Sequence, residues 1–392
     1  MTEHVVIAGG GIAGSAAALA LRRAGVAATV LEARPAVSGG AVVRVNPNGM
    51  DALRAIGAHQ AVIAASFPLL RFEWYAPTGR IGYRMTADPS AERGMPRVMA
   101  WADLARVLQR EAARAGAVFR YDTRVIDAGE TTGGARVRLA GGDSVGADAV
   151  VGADGVRSSV RARIDPGAPA PRFMGRRTVY GFTPEPAFEP PPPEVLRAHV
   201  DNGFLAATRD SFTGGCYWFT SLPATGPLAR GEGTDVELWR GRLLDVFGAE
   251  TMPAASAVRD ADRILAFDDY TLPHLPQWHS ARMVVLGDAA HVTTPGSEQG
   301  AAMAIEDGVV LARCLRDDAD TSAALARFEQ QRRPRAEAVV PLGMSEPPPA
   351  HVPARFGRWV RDRVRALRRR KLLDIDGNWA LDHHIDWNGR RR

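Results

Sequence analysis

Val5-Val6-Ile7-Ala8-Gly9-Gly10-Gly11-Ile12-Ala13-Gly14, followed eighteen residues later by Glu32, is the stretch that decides the fold. The apolar run Val5 to Ala8 predicts a buried parallel strand, and Ala16 to Ala24 predicts a helix. A second apolar run, Ala27 to Leu31, ends in the acid. The three glycines of a G-x-G-x-x-G pattern have separate physical tasks. Gly9 permits the tight turn, Gly11 lets the backbone approach a pyrophosphate, and Gly14 lets helix and strand pack closely. The helix N-terminus offers free N–H groups and a positive dipole end to phosphates. Glu32 is placed to accept from a ribose 2′-OH, which favours an adenine dinucleotide without a 2′-phosphate.

The 392 residues suit about two domains. A hydrophobic content of 46% and a charged content of 24% are ordinary for a globular protein. The sequence has no apolar run long enough for a transmembrane helix. It opens on a strand, without a signal-peptide pattern, so a cytoplasmic protein is expected. Cys216 and Cys314 lie in unrelated contexts and read as reduced thiols. The net charge of +5 is local in origin: His351 to Lys371 holds eight arginines and one lysine against the single acid Asp362. An excess confined to one end gives no reason to expect nucleic acid.

Farther along the chain, Leu70 to Tyr75 and Arg80 to Arg84, joined by Pro77-Thr78-Gly79, read as a hairpin. Ala102 to Ala115 reads as a helix with Leu104, Val107, Leu108 and Ala112 on one face. Val118 to Val125, Ala135 to Leu139 and Ala149 to Val151 read as strands. Phe173 to Pro223, interrupted by a proline-rich loop at Pro184 to Pro193, is read as the main sheet of a second domain. Val236 to Phe247 and Ala301 to Leu315 read as helices, and Arg282 to Leu286 as a buried strand. The expected fold is α/β: a Rossmann-type domain with an inserted β-sheet substrate domain and a C-terminal helical region. Residues 1–66, 96–165 and 275–345 are assigned to the first, 67–95 and 166–274 to the second. Residues 346–392 are assigned to a linker, a basic helix and a tail. Phe356, Trp359, Val360, Val364 and Leu367 would share one face of that helix, a pattern suited to packing on the body or to an anionic surface.

Two further glycine–acid motifs are Val150-Val151-Gly152-Ala153-Asp154-Gly155 and Val284-Val285-Leu286-Gly287-Asp288-Ala289-Ala290-His291, the latter continuing to Pro295, Gln299-Gly300 and Glu306-Asp307. Each predicts a strand ending in a carboxylate and free N–H groups, where doubly wound sheets bind ligands. With Phe328 to Arg335 as an arginine-rich helix, the chain resembles the single-component, class A FAD-dependent aromatic monooxygenases, the para-hydroxybenzoate hydroxylase-like family. The resemblance covers roughly residues 4 to 340.

The resemblance implies FAD, with NADPH or NADH as a transient co-substrate, a small aromatic substrate and O2. It implies a flavin C4a-hydroperoxide that delivers oxygen to an electron-rich ring. Epoxidation, oxidative decarboxylation or rearrangement on the same fold are the alternative outcomes. Gly9, Gly11, Ile12, Ala13, Gly14, Glu32, Ala33, Arg34, Trp101 and Val125 are the implied contacts of the adenosine and pyrophosphate half. Asp154, Gly155, Gly287, Asp288, Gln299, Gly300 and Ala301 complete the cofactor set, with Asp288 on the ribityl chain. Pro295 is implied in the wall near the reacting face. Arg44 reads either as a group that steers NAD(P)H or substrate, or as a structural ion-pair member. His291 reads either as a catalytic base or as a residue that orients its loop.

Two positions depart from the family pattern. Trp101 stands where many relatives have an arginine that helps to hold FAD. Glu298 stands where many read G-Q-G, so it either brings charge to the flavin, points toward substrate or faces solvent. Tyr180, Tyr217 and Phe219 are the leading substrate-contact candidates, with Phe182, Phe204, Trp218, Trp74 and Tyr83 behind them. Strand alternation allows only one subset to face a pocket. A flavin-dependent halogenase on the same fold is disfavoured, because such relatives carry a lysine in the first hundred residues and a W-x-W-x-I-P stretch, whereas Lys371 is the only lysine here and a second Trp is missing after Trp218. No metal site is expected, and a monomer or homodimer is.

Overall fold

A computed structural model describes residues 2–37, 41–75, 81–87, 94–200, 204–248, 253–344 and 379–389. Its first half-core is a five-stranded, all-parallel sheet. The strand order is Met283–Val285, Ala149–Gly152, His4–Ala8, Ala27–Leu31 and Val118–Arg120. Val5, Val6, Ile7, Val150, Val151, Val284 and Val285 are wholly buried. Strands covered on both faces need such unbroken apolar runs. Each such side chain contributes about 1.5–3 kcal/mol on burial. Helices Ile12–Arg23, Trp101–Arg114 and Gly300–Asp317 cover this sheet through one continuous core.

The second core belongs to a seven-stranded sheet. Its order is Arg263–Thr271, Arg172–Thr183, Cys216–Pro223, Phe204–Arg209, Val195–Val200, Arg71–Tyr75 and Ile81–Thr86. On one face Val179, Trp218 and Ile264 pack against helix Val236–Phe247 and the helix at 253–259. On the other, Phe72, Phe182, Ala198, Ala206 and Tyr217 pack against Phe67, Val98 and Ala100. Val98 and Ala100 belong to a small antiparallel sheet of Val42–Val45, Arg97–Ala100 and Phe67–Pro68. That small sheet therefore connects the dinucleotide half to the front of the large sheet.

Some expected elements change. The run Val118 to Val125 is two strands, because Asp122 takes a left-handed φ of 51° and turns the chain after Arg120; Val125 begins the strand Val125–Thr131. The hairpin forms between Arg71–Tyr75 and Ile81–Thr86, and its first strand also pairs in parallel with Val195–Val200. The Pro77-Thr78-Gly79 turn, the basic segment His351 to Lys371 and the side chain of Tyr83 lie outside the described residues. The described C-terminal stretch 379–389 docks on the dinucleotide half. Arg335 donates to the Ala380 carbonyl at 2.8 Å, and His384 Nδ1 lies 2.8 Å from Asp51.

Candidate flavin site

All four sequence motifs fall at the C-terminal edge of the parallel sheet: Gly9–Gly14 after His4–Ala8, Glu32 after Ala27–Leu31, Asp154 after Ala149–Gly152 and Gly287–Asp288 just beyond Met283–Val285. The glycines differ in what surrounds them. A Cβ on Gly14 would stand 1.9 Å from the Gly9 carbonyl oxygen. A Cβ on Gly11 would meet nothing nearer than the Trp101 indole at 3.8 Å. Gly14 is thus a packing requirement, whereas Gly11 faces open space. Helix Ile12–Arg23 begins there without a side-chain cap, so its first N–H groups are left for an anion. Ile12 and Ala13 form its first turn.

Glu32 spans the loop. Its Oε2 accepts from the Gly10 N–H at 2.7 Å and its Oε1 from the Arg34 N–H at 3.0 Å, with Ala33 between. Two residues not read from the sequence complete this corner. Gln109 donates to the Gly10 carbonyl at 2.7 Å and accepts from the Tyr121 hydroxyl at 3.0 Å. A buried glutamine on an apolar helix face was the only available signal for them. Val125 is half-buried at the start of its strand, beyond Tyr121.

The motif aspartates have different obligations. Asp154 Oδ2 accepts from Ser159 N–H at 2.7 Å and Ser159 Oγ at 2.9 Å, at the start of helix Ser159–Ile164, while its Oδ1 is buried with no partner. Beside it, Gly155 holds a left-handed φ of 78° in open space. Asp307 is fully buried. It accepts from Gly287 N–H at 2.8 Å and Arg332 Nε at 2.7 Å, and lies 2.6 Å from His291 Nε2. Burial opposes its charge, yet His291 and Arg332 outweigh that and hold the carboxyl at about 2. Asp288 has no hydrogen bond to another described residue. Its side chain is open to solvent yet ringed by protein, as at the floor of a cleft, and that desolvation raises its carboxyl, opposed by His291.

His291 is 3% exposed and packs on Trp278. Of its two readings, this geometry is that of a residue orienting the Gly287–Asp288 loop through Asp307. It is not the geometry of a base open to substrate. The arginine-rich segment supplies the same network: Arg332 pairs with Asp307 and Glu306, and Arg335 with Glu306, from helix Thr321–Val339.

At the other end of the cleft, helix Gly300–Asp317 also starts without a side-chain cap, presenting Gly300 and Ala301. Gln299 is buried and bonded to Asn48 at 3.0 Å, and Pro295 is exposed at the mouth of the loop. Asn46 Nδ2 donates to the Glu298 carbonyl at 2.7 Å. Arg44, on strand Val42–Val45, is ion-paired with Glu298. Asn46 Oδ1, Asn48 Oδ1 and Arg44 Nε are buried without hydrogen-bond partners. Native interiors leave few such atoms, and a cluster of them marks a place where another polar group belongs.

On the front of the large sheet Tyr180, Phe219, Phe204 and Trp74 form a chain of ring contacts at 5.9, 5.7 and 5.5 Å. All four are half-buried. Tyr217 shares this face but is only 7% exposed, packed 4.7 Å from Phe182, and burial pushes its hydroxyl up to about 12. Trp218 points to the opposite face and donates to Thr183 Oγ1 at 3.1 Å, so it is removed from the substrate candidates. Burial raises the Tyr180 hydroxyl, and the negative charges of Asp269 and then Glu298 add to that. Among the described residues no cluster could hold a metal ion, and no helix is long and apolar enough to cross a membrane.

The open approach at Gly11, the uncommitted Asp288 and the unpartnered atoms at Asp154 and Asn46 fit a long, phosphate-bridged, hydroxyl-rich cofactor such as FAD. Comparisons with known proteins agree. Residues 2–342 match the family model described as an FAD binding domain. The chain is 33% identical over 386 residues to the aurachin C monooxygenase/isomerase of Stigmatella aurantiaca, covering 94% of this chain and 97% of that protein. It is 30% identical to a 3-amino-4-hydroxybenzoate 2-monooxygenase of Streptomyces platensis, covering 92% and 91%. The fold matches that of Klebsiella pneumoniae HpxO complexed with FAD and uric acid, with a TM-score of 0.80 at 24% identity over 97% and 96% of the two chains. The chain belongs to the FAD-dependent aromatic monooxygenases of the para-hydroxybenzoate hydroxylase-like, class A family.

Proposed function

We propose that this monooxygenase hydroxylates an electron-rich aromatic small molecule lying between the Pro295–Gly300 loop and the aromatic face of the large sheet. The single observation that carries this reading is the Tyr180–Phe219–Phe204–Trp74 ring chain, half-open to solvent on the front of the large sheet. Rings so arranged stack on a planar substrate. Domain boundaries near residues 66, 96, 165 and 275 go with the same reading, since strands from 71–86 and 172–271 build that sheet.

FAD, when bound, supplies electron uptake from NADH or NADPH and the activation of O2. The chain's own residues do the rest. The uncapped N–H groups at Ile12 and Ala13 hold pyrophosphate, Glu32 the adenosine ribose and Asp288 the ribityl hydroxyls. The helix opening at Gly300 and Ala301 would offer its positive dipole end to negative charge on the bound cofactor. Trp101, packed beside Gly11, takes the place of the arginine found in many relatives. Tyr180 offers a hydroxyl held protonated to donate to a polar substituent of the substrate. The relatives' names include hydroxybenzoates and kynurenine, so the substrate is not inherited from any one of them. A cytoplasmic monomer or homodimer without nucleic acid is the accompanying proposal; the two buried free thiols, Cys216 and Cys314, are compatible with a reducing compartment.

The test is to purify the yellow holoenzyme and follow NADH and NADPH oxidation with a panel of phenols, aromatic amines and heteroaromatics under 18O2. Substrate-stimulated oxidation with label in the product is expected. Colourless protein that takes up no FAD, or oxidation that no aromatic compound stimulates, would sink the reading.

A further inference from the structure

Glu298 adopts a left-handed backbone, φ 52° and ψ 22°. That region suits glycine and is costly for a residue with a long side chain. Strain of this kind persists where the surroundings over-determine it, commonly at functional sites. Here the surroundings are specific. The Glu298 carbonyl is held by Asn46 Nδ2 at 2.7 Å, and its carboxylate is ion-paired with Arg44. Both side chains are mostly buried, with 12% of Arg44 and 26% of Glu298 exposed. Arg44 lies two residues along its strand from Val42, which packs in the same apolar cluster as Phe204 and Phe219 on the front of the large sheet.

A second arginine, four residues before Tyr180 on the strand Arg172–Thr183, is matched in the same way. Arg176 Nη2 lies 3.5 Å from Asp269, a buried carboxylate that also accepts from Thr178 Oγ1 at 2.8 Å. Nearby on this face, Ser221 Oγ is buried without a partner and pairs in register with Thr178. The lining therefore holds two guanidinium groups, each already answered by a carboxylate, together with neutral hydroxyls. Among the described residues, a substrate carboxylate entering here would meet two guanidinium groups already paired and would lie near their two carboxylates. A neutral phenol, amide or ring nitrogen would meet hydrogen-bonding hydroxyls at Tyr180 and Ser221.

We propose that Glu298 is a specificity-determining residue: by neutralising Arg44 it makes the site select uncharged aromatic substrates over carboxylate-bearing ones. This inference rests on the aromatic-substrate reading above and goes further by naming the charge class.

The experiment uses FAD-loaded wild type, Glu298→Gln and Glu298→Gly, titrated with matched hydroxybenzamide and hydroxybenzoate pairs. Binding is read from the perturbation of the flavin absorbance. Gln removes the charge at nearly constant size, and Gly relieves the left-handed backbone, so at least one variant is expected to fold. Wild type should bind the amides ten-fold or more tightly than the benzoates. Both variants should shift that ratio at least ten-fold toward the benzoates, with FAD retention unchanged. A purely structural role would weaken both members of each pair alike. Equal binding of both classes by wild type, an unchanged ratio in the variants, or no binding of any pair by any form would overturn the proposal. NAD(P)H oxidation by wild type over the wider aromatic panel, measured in parallel, reports on the aromatic reading by itself, so the two ideas fail separately.

Discussion

His291 Nε2 lies 2.6 Å from Asp307 Oδ2, and the same oxygen takes the Gly287 N–H at 2.8 Å. One buried carboxylate thus fixes both ends of the turn that presents Asp288. With Arg332 on its other oxygen, Asp307 is the centre of a network whose members have no alternative solvation. Breaking a buried pair by removing one partner costs about 3–5 kcal/mol. Asp307→Ala is therefore expected to lower the unfolding free energy by about that amount and to release FAD, as read by urea titration and by flavin retained on gel filtration. A loss below about 1 kcal/mol would show that the network is not the hub described here.

The same carboxylate sets an acid limit. Its folded pKa, about 2, lies below the ordinary aspartate value of 3.8. A depressed carboxyl contributes stability that is present above about pH 4 and lost as pH falls toward 2. Thermal midpoints should fall through that window in wild type. In Asp307→Asn the fall should be shallower, because the titrating group is gone. Identical profiles for the two proteins would refute the assignment.

Glycine chemistry separates folding from cofactor binding. Gly11→Ala adds a methyl group that meets only Trp101 at 3.8 Å, and the backbone there, φ −70°, suits alanine. The variant should keep the wild-type stability of the apoprotein while losing ten-fold or more in FAD affinity, because the methyl fills the approach left for a phosphate. Gly14→Ala would drive its methyl to 1.9 Å from the Gly9 oxygen and should fail to accumulate as folded protein. Asp288→Ala should resemble Gly11→Ala, since Asp288 has no hydrogen bond to another described residue. Circular dichroism with fluorimetric FAD titration reads all three; equal FAD affinity in Gly11→Ala and wild type would contradict the phosphate assignment.

Much of this was legible in the chain because the parallel sheet demands it. Strands covered on both faces show as unbroken Val and Ile runs, and the turns at their ends show as glycines and acids. That is why the sequence alone places Gly9 to Gly14, Asp154 and Gly287-Asp288 at one sheet edge. The aromatic sheet was harder. Tyr217, Trp218 and Phe219 are consecutive and chemically alike, and only the pairing register separates the cleft-side Phe219 from Trp218 on the helix side. Gln109, Tyr121, Asn46 and Asn48 were not found because each acts through a partner 12 to 258 residues distant. No local pattern carries a contact of that kind. The split of Val118 to Val125 was hidden for a similar reason: Asp122 turns in left-handed geometry while Thr123 N–H bonds Glu32, a tertiary restraint.

Tyr180 and Tyr217 offer the clearest division between substrate contact and core. They lie on the same sheet face, on neighbouring strands, but Tyr180 is half-buried at the start of the ring chain while Tyr217 is sealed against Phe182. Removing the hydroxyl of Tyr180 leaves its ring contacts with Phe219 and Phe267 in place. Tyr180→Phe should therefore change stability by less than about 1 kcal/mol. It should raise substrate KM several-fold, as the protonated hydroxyl can no longer donate to the ligand. Tyr217→Ala should do the reverse, costing about 3–5 kcal/mol through the cavity it opens, as large-to-small core changes do. Its KM, measured well below the unfolding temperature, should move little. Steady-state kinetics on the best substrate and urea unfolding of the two variants decide the matter; an elevated KM in Tyr217→Ala with unimpaired stability would assign that ring to the substrate instead.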